Sequence, residues 1–93
     1  MSLKGKIAIV TGCSKGIGLS TTTSLLNKGV KVAGWSRTPP PLAHEEFTHF
    51  QTDVAIYKSV QESFQETILK YGQADILINN AGLGYVSQFE ELE

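Results

Sequence analysis

Residues 6–18, Lys-Ile-Ala-Ile-Val-Thr-Gly-Cys-Ser-Lys-Gly-Ile-Gly, decide the fold of this chain. The run from Lys6 to Thr11 is short, β-branched and continuously apolar, which is typical of a strand buried on both faces of a parallel sheet. A glycine-rich turn follows, and it leads into a predicted helix over residues 17–28. Gly29 would end that helix in the left-handed conformation.

The remainder of the sequence alternates in the same way. Apolar or alternating runs predict strands over residues 30–36, 47–52 and 75–80, and a helix begins near residue 88. Another helix is predicted between the last two strands and ends at Gly72; its apolar stripe consists of Ile56, Val60, Phe64, Ile68 and Tyr71. The first helix has a weaker face, for which we expect Ile17, Thr21, Ser24 and Leu25.

Alternating strands and helices predict an α/β protein with right-handed crossovers and a parallel sheet. We expect the amino-terminal part of a doubly wound, Rossmann-type fold, with strand order 3-2-1-4. The 93 residues have the size of one small domain or of a part of a larger one.

Composition excludes several classes of protein. Eight basic and nine acidic residues give a formal charge of -1 without a concentrated basic face, which argues against a nucleic-acid partner. No apolar stretch approaches the roughly 20 residues of a membrane span, and no secretory signal is evident. The single cysteine, Cys13, cannot form an internal disulfide, and no metal-ligand spacing occurs. We therefore expect a cytoplasmic protein without a metal site.

The turn from Gly12 to Gly18 lies between a strand and a helix, where main-chain amides and the helix dipole can bind a pyrophosphate. Glycine permits the sharp turn and a close approach of the backbone. The spacing differs from G-x-G-x-x-G and from the P-loop, so the turn taken alone is equally consistent with a purely structural role.

Three motifs together resemble the short-chain dehydrogenase/reductase family. They are Thr-Gly-x-x-x-Gly-x-Gly from Thr11 to Gly18, Asp53-Val54 after the third strand, and Asn-Asn-Ala-Gly from Asn79 to Gly82. The resemblance covers nearly the whole chain, but only the amino-terminal part of a family member. It implies that residues 1–93 are an incomplete NAD(P)-binding Rossmann domain and that the longer protein is an oligomeric oxidoreductase acting on a carbonyl or alcohol.

The resemblance also implies roles for individual residues. Gly12, Gly16 and Gly18 would form the phosphate loop, with the Ile17 amide near the pyrophosphate. Asp53 would accept a hydrogen bond from the adenine amino group, although a helix cap is the better interpretation of Asp53 alone. The complete set of cofactor-binding candidates is Gly12, Ser14, Lys15, Gly16, Ile17, Gly18, Ser36, Arg37, Asp53, Val54, Asn80, Ala81 and Gly82.

The choice of cofactor depends on the end of the second strand. Enzymes that select NAD usually carry a carboxylate there, which binds the ribose 2′-hydroxyl. Ser36 and Arg37 stand at that place, and Lys15 offers a second cation. Two cations without a carboxylate favour NADP(H) over NAD.

Catalytic residues are not found by motif. The family uses a Tyr-x-x-x-Lys pair for general acid–base chemistry beside the hydride carrier, but the residues four places after Tyr57, Tyr71 and Tyr85 are Gln61, Asp75 and Phe89. The 93 residues are expected to bind a cofactor without catalysing a reaction. The alternatives are a non-catalytic nucleotide-binding module and a structural α/β unit without a ligand.

Overall fold

The computed structural model describes residues 2–80 and contains one four-stranded parallel sheet. Its strands lie in the order β3-β2-β1-β4, which confirms the predicted Rossmann-type α/β arrangement. The predicted helix near residue 88 lies outside the described residues. The elements are β1 (Ile7–Thr11), α1 (Gly16–Asn27), β2 (Lys31–Ser36), β3 (Phe47–Gln51), α2 (Tyr57–Tyr71) and β4 (Ile76–Asn79).

Strand β1 is the centre of the sheet, because β2 pairs with one of its edges and β4 with the other. All five of its residues are buried, as expected for an apolar run covered on both faces. Asp75 fixes the start of β4 against it: the Ile7 amide donates to Asp75 Oδ2 at 2.9 Å, and the Asp75 amide donates to the Ile7 carbonyl oxygen at 2.8 Å.

The buried face of α1 differs from the expected one. Gly18, Thr22 and Leu26 are its buried residues, whereas Ile17 is 77% exposed. The face lies one residue further along because Gly18 must approach the backbone of Gly12, and this contact sets the rotation of the helix.

Helix α2 follows its predicted stripe only in part. Val60 is fully buried, but Ile56 is 53% exposed and precedes the helix. The other buried residues of α2 are polar, Ser63 and Thr67. Gly72 ends the helix with a φ of +86°, as predicted from the sequence.

Within residues 2–80, two apolar clusters cover the two faces of the sheet. One contains Val10, Cys13, Leu26 and Val32; the other contains Ile9, Ala33, Trp35 and Val60. None of the helices within residues 2–80 is long and apolar enough to cross a bilayer.

Gly34 in β2 leaves room for the side chains of Cys13 and Phe47 to pack against the strand. A Cβ atom at this position would lie 2.5 Å from the Phe47 ring and 2.8 Å from Cys13 Sγ. The space beside β2 is therefore already filled by the side chains of Cys13 and Phe47.

Candidate functional site

A cavity of about 920 Å³ lies where the carboxyl ends of the four parallel strands meet. This is the edge of an open α/β sheet at which ligands generally bind. The described residues that line the cavity are Gly12, Ser14, Lys15, Ile17, Gly18, Trp35, Ser36, Arg37, Thr38, Pro39, Pro41, Thr52, Asp53, Val54, Ala55 and Asn80.

The glycine loop forms the wall of the cavity next to α1. Gly12 and Gly16 adopt φ values of +63° and +61°, the left-handed region that glycine enters without steric strain. Gly18 is required for a different reason: a Cβ atom there would clash with the Gly12 carbonyl oxygen. The loop and the first turn of the helix are consequently in close backbone contact.

Among the residues that the structure describes, no side chain caps the amino terminus of α1. Its N-cap residue, Lys15, is extended and makes no side-chain hydrogen bond to the helix, and the first turn contains no acidic residue. The first amides of a helix carry a partial positive charge and are often satisfied by a ligand. This terminus can therefore hold an anionic group such as a phosphate.

Two cations border the same cavity. Lys15 comes from the glycine loop and Arg37 from the residue after β2, and both are exposed at its rim. Asp53 is the acidic residue among the described lining residues. The electrostatics of this rim thus favour an anion on the side of Lys15 and Arg37.

Asp53 does not cap α2. The N-cap residue of that helix is Ile56, and Asp53 instead forms a tight turn in which its Oδ1 accepts from the Ala55 amide at 3.0 Å. Its own amide donates to Ser59 Oγ at 2.9 Å. These bonds hold the Asp53-Val54 segment against the start of α2 while both residues line the cavity.

The end of β4 is joined to the end of β1 through one hydroxyl group. Thr11 Oγ1 donates to Asn79 Oδ1 at 3.0 Å and accepts from the Asn80 amide at 2.9 Å. This places Asn80 on the cavity and gives Asn79 the role of tying β4 to its neighbour.

Cys13 is fully buried beneath the loop, and its Sγ donates to Ser36 Oγ at 3.4 Å. Burial raises the pKa of the thiol, with a smaller opposing effect from this hydrogen bond. The thiol is therefore held in its neutral form, as expected of a structural rather than a nucleophilic cysteine.

The structure brings together most of the residues that were predicted from the sequence. Gly16 belongs to the loop but does not line the cavity, and Ala81 and Gly82 lie outside the described residues. Within residues 2–80, no group of three histidine, cysteine or acidic side chains could hold a metal ion.

Sequence reasoning missed several lining residues: Trp35, Thr38, Pro39, Pro41, Thr52 and Ala55. A positional signal could have identified them, because each lies within a few residues of a strand's carboxyl end. The proline run after β2, in particular, is more than a connection, since Pro39 and Pro41 both form part of the wall.

Comparisons with known proteins agree with this geometry. The family model described as short chain dehydrogenase matches residues 6–93. Among curated proteins, an uncharacterized oxidoreductase of Schizosaccharomyces pombe is 37% identical over 84 residues, which cover 88% of this chain and 29% of that protein. The 15-hydroxyprostaglandin dehydrogenase [NAD(+)] of Rattus norvegicus is 34% identical over an alignment 102 residues long, gaps included, which covers 98% of this chain and 38% of that enzyme.

Solved structures show the same similarity. The ligand-free aldohexose dehydrogenase of Thermoplasma acidophilum superposes with a TM-score of 0.81 at 34% identity, covering 87% of this chain and 31% of that chain. A short chain dehydrogenase of Leptospira borgpetersenii with bound NAD+ gives a TM-score of 0.80 at 27% identity, covering 88% and 33%. The chain therefore spans about a third of the length of these relatives.

Proposed function

Because this chain belongs to the short-chain dehydrogenase family, we propose that it is the cofactor-binding part of an NADP(H)-dependent oxidoreductase. Its substrate would be a small carbonyl or alcohol compound, and residues 1–93 would form part of an NAD(P)-binding Rossmann domain. The observation that carries the proposal is the close approach of Gly18 to Gly12 beside an uncapped helix terminus, at a cavity shared by four strand ends.

The residues of this cavity fit a dinucleotide. The loop amides and the start of α1 would hold the pyrophosphate, and the Asp53-Val54 segment would contact the adenine. Asn80, with Ala81 and Gly82 beyond it, would lie along the adenosine. The bound nicotinamide supplies the hydride, whereas this chain binds and orients the cofactor. None of its tyrosines is followed four residues later by lysine.

The preference for NADP(H) rests on Lys15 and Arg37. Both line the cavity, and the end of β2 carries Ser36 where an NAD-selective site usually has a carboxylate. A 2′-phosphate would bond a guanidinium more strongly than a neutral hydroxyl would. One relative is named for NAD(+), and another was solved with NAD+ bound. The preference for NADP(H) must therefore be tested on this chain itself.

Substitution Arg37→Asp tests the preference. We expect the affinity for NADP to fall roughly 10- to 150-fold more than the affinity for NAD, because a charge-assisted hydrogen bond contributes roughly 1.5–3 kcal/mol. Calorimetric titration of the intact protein with both dinucleotides measures the two affinities. Lys6→Asp makes the same change of charge at the amino-terminal end of β1, away from the cavity at the carboxyl ends of the strands. It should leave the ratio of the NADP and NAD affinities unchanged. Equal losses for the two dinucleotides in Arg37→Asp would show that the preference is wrong.

Further parts of the proposal follow the family. We propose a cytoplasmic homo-oligomer that does not bind nucleic acid. The alternative is a non-catalytic nucleotide-binding module, which the intact protein would reveal by binding NADP without oxidising or reducing any alcohol or carbonyl. A protein that gave no heat of binding with either dinucleotide would be the third case, a structural unit.

A further inference from the structure

Ser36, the last residue of β2, lies at the centre of a small polar cluster. Its hydroxyl oxygen is 2.6 Å from the Thr38 carbonyl oxygen, 3.0 Å from His49 Nε2 and 3.4 Å from Cys13 Sγ. Its carbonyl oxygen accepts from the Thr52 amide at 2.9 Å and lies 3.1 Å from the same His49 nitrogen. Side chain and main chain of Ser36 are thus both held in place.

The partners determine where the protons are. A carbonyl oxygen can only accept, so His49 Nε2 must carry a hydrogen to bond the Ser36 carbonyl, and the Ser36 hydroxyl must donate to the Thr38 carbonyl. The hydroxyl lone pairs then face His49 and Cys13. The Ser36 hydroxyl has one hydrogen, and the Thr38 carbonyl oxygen accepts it. The hydroxyl is therefore not a hydrogen-bond donor to a ligand in this arrangement.

These bonds close a short turn with Arg37 at its apex. Ser36 precedes Arg37 and bonds the carbonyl of Thr38, the residue after it. Arg37 itself is exposed and lines the cavity. The cluster therefore fixes the backbone from which the guanidinium extends.

His49 is a polar residue on a face of the sheet that is packed mainly with apolar side chains. It lies in β3 two residues after Phe47 and so projects to the same face of the sheet, where Phe47 packs against the apolar cluster. An apolar side chain at residue 49 could extend that packing. The imidazole instead uses Nε2 on the two oxygens of Ser36.

We infer that His49 is a positioning residue for nucleotide selection: through Ser36 it holds the Ser36–Thr38 turn so that Arg37 meets the 2′-phosphate of an adenine nucleotide. The inference rests on the proposed binding of NADP in this cavity. His49 does not line the cavity, so its effect is exerted through the turn and without direct contact to the ligand.

The experiment compares two nucleotides that differ only in the phosphate at issue, adenosine 2′,5′-bisphosphate and adenosine 5′-monophosphate. Calorimetry on the intact protein gives the ratio of their affinities. In His49→Leu we expect this ratio to fall about tenfold, because Arg37 loses its fixed position. His49→Gln, whose amide nitrogen can replace Nε2 as a donor, should keep the ratio within about threefold of the wild type.

His44→Leu is the matched control, since His44 is exposed and its Nδ1 accepts only a local bond from the Glu46 amide. It should leave the ratio unchanged. Ser36→Ala gives a second test of the same link and applies even where His49→Leu fails to fold. It should also lower the ratio, and combining it with His49→Leu should lower the ratio by less than the product of the two single fold-changes.

The outcomes separate the inference from the function on which it rests. A wild type that prefers the bisphosphate while His49→Leu and Ser36→Ala keep the full ratio overturns the role of His49 alone. An equal fall in His44→Leu also overturns it, because the effect would then not depend on the Ser36 turn. A wild type that binds neither nucleotide overturns the proposed function together with the inference.

Discussion

At the scale of single residues, Gly18 shows how closely the loop is packed. A side chain at Gly18 meets a main-chain oxygen, which cannot move without displacing the loop. Gly18→Ala should lower the free energy of unfolding by roughly 3 kcal/mol, the upper end for an overpacked site, and should abolish nucleotide binding. Denaturant unfolding and calorimetry measure the two effects.

Gly16→Ala is the comparison for that prediction. Among residues 2–80, no atom outside its chain neighbours and the backbone of its own helix lies within 4 Å of the Cβ position of Gly16, so its φ of +61° is what disfavours alanine. This substitution should reduce the stability by about 1 kcal/mol. If the two alanine variants unfolded at the same denaturant concentration, steric contact with Gly12 could not explain the need for Gly18.

At the scale of elements, α2 is joined to the sheet by buried polar side chains. Trp35 Nε1 donates to Thr67 Oγ1 at 3.1 Å, Thr67 donates to the Ser63 carbonyl at 2.7 Å, and the Thr52 and Ser63 hydroxyl oxygens lie 2.6 Å apart. These hydrogen bonds add to the apolar contacts that Val60, Phe64 and Tyr71 of α2 make with the same face of the sheet.

Thr67→Val tests the contribution of these bonds. The two side chains have the same shape, but valine cannot accept from the Trp35 indole, so we expect a loss of about 1–2 kcal/mol in the free energy of unfolding. Thr23→Val removes a similar bond to the Leu19 carbonyl on the exposed side of α1 and should cost less than about 0.5 kcal/mol. Similar urea midpoints for the two variants would contradict a special role for Thr67.

The helices also show where sequence patterns lose their power. The spacing of Val60, Phe64 and Tyr71 correctly predicts a helix, and Gly72 correctly predicts its end. It cannot reveal that Ser63 and Thr67 are buried, because their burial depends on Thr52 and Trp35, which come from other elements. In α1 the buried face is set by the backbone contact of Gly18 and not by an apolar stripe. Hydrophobic periodicity therefore could not predict which residues of α1 are buried.

At the scale of the whole molecule, β1 and β2 each pair with strands on both sides, whereas β3 pairs only with β2 in the part of the chain described. Main-chain hydrogen bonds at the centre of a sheet open less often than those at its edge. Amides of β1 and β2 should therefore exchange with deuterium at least roughly tenfold more slowly than those of β3. Mass spectrometry of peptides from the three strands measures this order, and equal rates would contradict it.

The strand order was predictable because the alternation of strands and helices indicates a doubly wound, Rossmann-type sheet, which has a characteristic order of strands. The cavity was predictable for the same reason: residues such as Gly12, Arg37 and Asp53 each follow a strand. The contact of His49 with Ser36 was not predictable from the sequence. It joins side chains of two neighbouring strands, and no local sequence pattern encodes such a pair.

Trp35 gives this arrangement a practical consequence. It is the single tryptophan of the 93 residues, it is wholly shielded from solvent, and it forms part of the cavity wall. Tryptophan fluorescence from the chain therefore originates from one known location, at the cavity proposed to bind the cofactor. The protein carries an intrinsic optical reporter, so that occupancy can be followed in real time without attaching a dye.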